Sequence, residues 1–225
     1  MKFENIKKQD QLYFYAGDLK QWNCVSVKTR FELTNKKWVG LTLPKYGDGF
    51  GTDDENHILF NILDTMPLEN NTIDIYQSED VHEHIEHELL VDQINEVHRC
   101  LKKNGLFRLS VPDYNCDLLY NRTVKDEAGN LIFDKAGGGY YDKKEKKIKG
   151  NGHVWFPTYK KVKDLLELTN FENDKIYFLH YYDENKNPIT NKIDYSLGYI
   201  SRTPDNDTRV KNPYRPMSIV VDCYK

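Results

Sequence analysis

Residues 73–114 read IDIYQSEDVHEHIEHELLVDQINEVHRCLKKNGLFRLSVPDY, and their periodicity decides the fold class. Ile73 and Ile75 open a short apolar strand that gives way to a polar run, Gln77, Ser78, Glu79 and Asp80. Leu90, Ile94, Val97 and Leu101 then recur at helical spacing, so a long helix starting near Val81 has one apolar face. Lys102 and Lys103 suit the negative end of that helix, and Gly105 suits its C-terminal cap. Leu106 to Val111 follows at once as a second strand. Strand, helix and strand in this compass make a right-handed crossover between parallel strands, which sets the class as α/β. In open α/β sheets ligands bind beyond the carboxyl ends of the strands. Those ends carry Ser78, Glu79 and Asp80 on one strand and Pro112, Asp113 and Tyr114 on the next.

The same alternation extends in both directions. Leu12 to Ala16 and Trp38 to Leu43 read as strands, the second stopped by Pro44. Val25 to Leu33 stays open between strand and helix, because its β-branched content and its position disagree. A polar, glycine-rich loop from Lys45 to Asn56 precedes a short apolar run at Ile58 to Ile62. Val162, Leu165, Leu166 and Thr169 mark a helix after Pro157, and Ile176 to Tyr182 and Ser218 to Tyr224 are the last two strands. Residues 115–152 form a polar excursion without sustained periodicity, of a length that in a compact domain is functional or mobile. The chain therefore reads as one domain over residues 1–225, with an insertion at about 115–157.

Composition narrows the partners. A net charge of −3 over 225 residues gives no electrostatic case for nucleic acid. Cys24, Cys100, Cys116 and Cys223 lie far apart without a CxxC pair, as expected of separate buried thiols in a reducing compartment. No apolar run approaches the roughly 20 residues that span a membrane. The opening MKFENIKKQDQ lacks the apolar core of a signal peptide, so a cytoplasmic, membrane-free protein is expected.

The block Glu83-His84, then Arg99-Cys100-Leu101-Lys102-Lys103-Asn104-Gly105, then Val111-Pro112-Asp113, resembles the latter half of class I S-adenosylmethionine-dependent methyltransferases. In that superfamily a Glu-His pair, a helix closing in RVLKPGG and a strand ending in PD form one unit. The resemblance extends over most of the chain and is closest to a compact, type 11-like subgroup associated with glycan synthesis. In that subgroup the C-terminal part runs much like GHVWFPTY, RTPDNDTRV and RPMSIVVDCYK (residues 152–159, 202–210 and 215–225). It implies a Rossmann-like fold, with a mostly parallel central sheet, a final antiparallel strand and helices on both faces. It implies S-adenosyl-L-methionine as cofactor, and Ala16, Gly17, Leu41, Thr42, Asn61, Ile62, Ser78 and Glu79 as its contacts. Three positions depart from the family pattern. Gly17 is a single glycine where GxGxG is usual, and Thr42 stands where an acidic residue meets the ribose, a place that Asp48 in the next loop is able to take. Asn61 stands where Asp reads the adenine amino group, and an amide oxygen accepts that hydrogen bond too.

His82, His84 and His87, interleaved with Glu83, Glu86 and Glu88, admit three readings. They are a solvated helix start with His84 packed inside, a metal site that no HExxH or CxxC spacing supports, or catalytic bases. No metal is assigned. Methyl transfer to a hydroxyl needs a proton acceptor, and the expected candidates are Asp80, His84 and His153. The acceptor is expected to meet Asp113, Tyr114, Trp155, Arg202, Asp205 and Arg209, the last three within a charged set that extends to Arg215. Aromatic residues beside Asp and Arg suit a sugar, so O-methylation of a glycan hydroxyl on a small-molecule or oligosaccharide acceptor is the first expectation. A small carboxylate or amine acceptor is the second, and a non-catalytic binding protein of the same fold is the alternative from another class.

Overall fold

A computed structural model describes residues 1–6, 9–19, 27–43 and 55–225. Cys24, Asp48 and most of the 45–56 loop lie outside the described residues. In chain order the elements are β1 (Tyr13–Ala16), α1 (Val27–Thr34), β2 (Trp38–Thr42), β3 (His57–Leu59), β4 (Ile73–Glu79), α2 (Leu90–Cys100) and β5 (Leu101–Pro112). There follow α3 (Asp117–Arg122), β6 (Thr123–Lys125), β7 (Leu131–Asp134), β8 (Tyr140–Asp142), β9 (Lys147–Lys149), α4 (Tyr159–Glu167), β10 (Ile176–Tyr182), β11 (Pro188–Thr190) and β12 (Ser218–Tyr224). Eight strands form one sheet in the order β11-β10-β12-β5-β4-β1-β2-β3. From β3 to β5 every pairing is parallel, whereas β12 runs antiparallel to both β5 and β10. The expected mostly parallel sheet with a final antiparallel strand is present, and β11 adds a short antiparallel edge beside β10.

Period-two burial assigns the faces. Phe14, Ala16, Val39, Leu41, Tyr76, Phe107, Leu109, Val111, Ile219 and Val221 pack with α2 and α4 in one core. On α2 the fully buried Leu90, Ile94 and Val97 anchor the helix. Each such side chain contributes about 1.5–3 kcal/mol, which an 11-residue helix, marginal alone, needs to persist. The opposite face carries Tyr15, Trp38, Ile75 and Leu106. There α1 packs through Arg30, whose guanidinium lies 4.4 Å over the Tyr15 ring, and Thr34, which accepts from the Trp38 indole. The rest of that face is closed by the irregular strap at residues 193–200, through Ile193, Ile200 and Leu197. Cys100, Cys116 and Cys223 are buried free thiols. Among the described residues no helix is long and apolar enough to cross a membrane.

Four local expectations are corrected. The polar run after Ile75 is strand, not turn, because Gln77, Ser78 and Glu79 are buried with partners. The helix starts at Leu90 rather than near Val81, and two 3-10 turns, His82–His84 and His87–Leu89, stand before it. The His82 carbonyl accepts the Trp155 indole N–H and the Glu83 carbonyl accepts Val154 N–H, which takes both from an α-helical ladder. Nor does Gly105 cap α2. The helix passes directly into β5, and residues 102–105 bulge between the Ile73–Leu101 and Ile75–Leu106 pairs. Asn104 takes the left-handed turn at φ 62°, and a side chain at Gly105 would come within 2.8 Å of the Lys102 carbonyl. Finally, residues 115–152 are ordered into α3 and two hairpins, β6–β7 and β8–β9.

The strap is held from beneath by Arg108, which is fully buried. Its Nε and Nη2 donate to Asp222 at 2.7 Å each, and Nη1 donates to the Asp194 and Gly198 carbonyls at 2.8 Å. Replacing Arg108 by Met leaves Asp222 and two carbonyls without those donors, so a loss of about 3–5 kcal/mol in urea unfolding is expected. A loss under about 1 kcal/mol would mean that the strap holds itself.

Candidate active site

The sheet register sets three of the predicted cofactor residues in a row. Ala16 is opposite Leu41 on one side and Ser78 on the other. Gly17 ends β1 at φ 108°, a left-handed conformation that favours glycine, and its N–H donates to the Leu41 carbonyl at 2.8 Å. A Cβ built there would lie 3.5 Å from Val81 Cγ2, so the turn after β4 approaches the turn after β1 with room for one carbon between them. Thr42 is buried at the end of β2, where its carbonyl accepts from Phe60 N–H. The Asn61 amide oxygen accepts from Leu63 N–H at 3.2 Å in a local turn, and Ile62 is half-buried beside it. Asp18 and His57 close the near side, at 3.1 Å from each other.

The Ser78 side chain is engaged within the protein, which leaves its backbone to line the row at the strand ends. Its Oγ lies 2.7 Å from His82 Nδ1, and His82 Nε2 lies 2.8 Å from Gln93 Oε1. The Gln93 oxygen only accepts, so Nε2 carries the proton and Ser78 donates to Nδ1. His82 is therefore a buried neutral imidazole, not part of a solvated helix start. Glu79 faces the strap, where its Oε1 accepts from Ser201 N–H at 2.8 Å and from the Ser201 hydroxyl at 2.6 Å.

Beyond β4 the chain gathers a dense ionisable set. Asp80 stands at φ 55°, with Oδ2 3.0 Å from Arg202 Nε. Glu83 is fully buried and lies 3.7 Å from His153 Nε2 and 4.0 Å from His84 Nε2. The His84 and His153 rings meet edge to face, with centroids 4.7 Å apart. Behind His153, the Tyr114 hydroxyl donates to Asp134, which also accepts from Arg122 at 2.6 Å. Burial, reinforced by Asp80, pushes the Glu83 carboxyl well above the usual carboxylate range. Burial and the neighbouring His84 push His153 down to about 3, and burial also lowers His84.

The structure brings Asp80, His84, His153, Tyr114 and Arg202 into one neighbourhood. It does not bring all the others. Asp113 is fully buried, and its two oxygens accept from Asn115 N–H and Tyr182 N–H at 2.9 Å, which makes it a backbone clamp. Trp155 is inside the core with its indole on the His82 carbonyl. Asp205 accepts from the Tyr195 and Tyr214 hydroxyls, and the exposed Arg209 pairs with Asp207 at 2.7 Å. The charged set still meets the insertion through Arg215, which donates to Asp117 at 2.8 Å. Glu83, Arg122 and Asp134 are members of the site that sequence reasoning left out. Glu83 carried a signal in its pairing with His84; Asp134 and Arg122 carried none, because one ends a short hairpin strand and the other a six-residue helix, both too short for a pattern.

No protein-family model and no curated protein matches the sequence. Solved structures match over nearly the whole chain. An S-adenosylmethionine-dependent methyltransferase from Methanosarcina mazei superposes with a TM-score of 0.51 at 14% identity, over 99% of this chain and 95% of that one. A methyltransferase of the same description from Mesorhizobium loti gives 0.48 at 14% identity, over 95% and 90%. One from Archaeoglobus fulgidus gives 0.47 at 12% identity, over 99% and 90%. At this identity the likeness is one of fold, and with the strand order it establishes the Rossmann-like class I methyltransferase fold.

Burial holds the His82 imidazole down to about 4, from an ordinary value of 6.5. Between those values the unfolded chain binds a proton that the folded chain does not, so stability rises with pH there and falls on acidification. At about 1.4 kcal/mol per unit this amounts to about 3 kcal/mol. Urea unfolding from pH 7 to pH 4 should show that decline in the parent chain. The difference between parent and His82→Gln should shrink by the same amount over the same window; a constant difference would place the titration elsewhere.

Proposed function

We propose that this chain is an S-adenosylmethionine-dependent methyltransferase acting on a hydroxyl of a sugar or oligosaccharide. The observation that carries the reading is the close approach of the turn at Gly17 to Val81, the residue after Asp80. The approach lies at the point where the order of parallel strands reverses. The residues there fit the cofactor in its methionine part through the Gly17 turn and the Ala16–Leu41–Ser78 row. Thr42 and Asn61 would hold the ribose and adenine by hydroxyl and amide, with Ile62 against the ring and the backbone at Glu79 at the strand end. Bound S-adenosylmethionine supplies a methyl group on a sulfonium, open to in-line attack by an oxygen.

The chain's own task is then to place that oxygen and remove its proton. Asp80 is the proton acceptor in this reading. Arg202 fixes one of its oxygens, while Oδ1 is buried without a hydrogen-bond partner among the described residues. Positioning supplies most of such a rate and general-base help about 100- to 10,000-fold. The imidazoles of His84 and His153 flank the same set. Support for a hydroxylated acceptor comes from the convergence of Asp80, Arg202 and these imidazoles, polar groups suited to a hydroxylated rim. A small carboxylate or amine is the second acceptor class. Thr42, which replaces the charged ribose contact, favours a non-catalytic binding protein as the other reading.

Calorimetric titration with S-adenosylhomocysteine should give a micromolar dissociation constant, abolished in Gly17→Val while its circular dichroism stays native-like. Absence of heat and of thermal stabilisation at millimolar ligand would reject the cofactor site. Asp80→Asn should lower turnover about 100- to 10,000-fold and leave that affinity nearly unchanged. With labelled cofactor, methyl transfer is expected to deoxysugar glycosides. Label found only on small carboxylic acids or amines would remove the sugar and keep the methyltransferase.

A further inference from the structure

Glu83, His84 and His153 share a centre that the methyl-transfer reading, which takes the two imidazoles only as flanking groups, does not use. Tyr114 has one hydroxyl proton, and it goes to Asp134. The contact between Tyr114 and His153 Nδ1 therefore requires Nδ1 to donate, which leaves a lone pair on His153 Nε2. His84 Nδ1 lies 3.1 Å from the Gly152 carbonyl, which only accepts, so His84 also carries its proton on Nδ1 and a lone pair on Nε2. Both Nε2 atoms face the same oxygen of Glu83, at 3.7 and 4.0 Å. Neither Glu83 oxygen has a hydrogen-bond partner among the described residues, although both are buried.

With Glu83 ionised, as a bound cation would hold it, three lone-pair atoms converge with no donor between them. A proton does not bridge gaps of this size, because hydrogen bonds close at about 2.7–3.2 Å. A metal ion does. With bonds of about 2.0–2.2 Å a tetrahedral ion holds its ligands roughly 3.4 Å apart. The three candidate ligand atoms all lie within 4.8 Å of one another, so a contraction of at most about 1.4 Å brings them to that spacing. Neighbouring carboxylates already have cations: Asp80 has Arg202, and Asp134 has Arg122. Glu83 has two neutral imidazoles against it and feels Arg202 only from beyond ion-pair distance. Two imidazoles and one carboxylate suit a transition metal rather than magnesium or calcium, which prefer all-oxygen sites. The surroundings orient the ligands as metal sites require, with a Tyr114–Asp134 chain behind one histidine and a carbonyl behind the other. Gly137 makes the room, since a Cβ there would lie 2.8 Å from His153 Cγ.

We infer that Glu83, His84 and His153 bind a divalent transition-metal ion of the zinc class, at the inner end of the two-hairpin insertion. The site stands whether or not the chain transfers methyl groups. Its test is metal binding by the full chain. Purified protein stripped by chelator should take up one equivalent of Zn2+ in competition with a chromophoric chelator. Co2+ should give the visible absorption of a low-coordinate site. Glu83→Gln, which keeps the shape and removes the charge, and His153→Gln should each weaken Zn2+ binding at least 100-fold. Tyr114→Phe, which touches no ligand atom, should weaken it about 10- to 100-fold. Thermal unfolding should shift upward with Zn2+ in the parent and not in Glu83→Gln. Failure of the parent to bind Zn2+ at micromolar concentration, or binding unchanged in both Glu83→Gln and His153→Gln, overturns the assignment. Calorimetry with S-adenosylhomocysteine is unaffected by either result, so this site and the cofactor site fail separately.

Discussion

A buried guanidinium organises this protein. Arg108 sits mid-strand on the face of β5 away from α2, and its fork divides between Asp222 on β12 and the carbonyls of Asp194 and Gly198. A buried ion pair adds little net stability, because desolvation offsets most of its attraction. What it adds is placement. The strap at 193–200 has a single 3-10 turn at Tyr195–Leu197, and Arg108 and Gln77 tie it to the sheet, Gln77 through the Tyr199 carbonyl. A side chain on Gly198 would lie 2.2 Å from the Gln77 amide oxygen, so the strap runs flat against the strands. Ser201 and Arg202 follow immediately and arrive over Glu79 and Asp80. The cation that offsets Asp80 is thus delivered by a contact on the other face of the sheet.

A second constraint shapes the opposite side of the same edge. The carbonyls of His82 and Glu83 are taken by Trp155 and Val154, which prevents an α-helix from beginning after β4. The chain makes a 3-10 turn instead, and Glu83 is buried, where a helix start would expose it. Because Trp155 is fixed, His153 is fixed, and with it the hairpins packed around Gly137 and Gly152. The insertion is therefore coupled to β4 by backbone bonds. That explains how a polar segment keeps order beside a sheet edge.

These two constraints also mark where the sequence is legible. Strands and helices whose signal lies within one element were readable: the apolar face of α2 at Leu90, Ile94 and Val97, and the alternating β12. The segment Val25 to Leu33, open between two readings, carries α1 (Val27–Thr34), where Arg30 and Thr34 find Tyr15 and Trp38. The polar end of β4 was illegible, since Gln77 and Glu79 are strand residues only by virtue of partners more than 120 residues away. The bulge at 102–105 defeats a helix-cap reading because Gly105 serves close approach rather than a left-handed turn. Of the site, Asp80, His84 and Arg202 were visible as residues at strand ends or in charged runs. Their mutual geometry was not, and Asp113 and Trp155 were misjudged because local polarity does not reveal which backbone groups a side chain satisfies.

The edge that results is electrostatically divided. On the strap side Asp80 and Glu79 face Arg202 and Ser201, and a charged carboxylate there is held by fixed partners. On the hairpin side two imidazoles kept neutral by burial face a carboxyl with no donor of its own. Both sides are built on strand ends, clamped turns and close glycine contacts, so little reorganisation accompanies a ligand's arrival. An oxygen entering between them would meet a carboxylate already oriented to accept a proton and an acceptor-rich pocket that favours positive charge. The two halves suit the different ligands proposed for them, a hydroxyl and a cation. The residue that joins them is Asp80, paired with Arg202 and near enough to raise the Glu83 carboxyl. A change of charge on either side of the edge is therefore felt on the other.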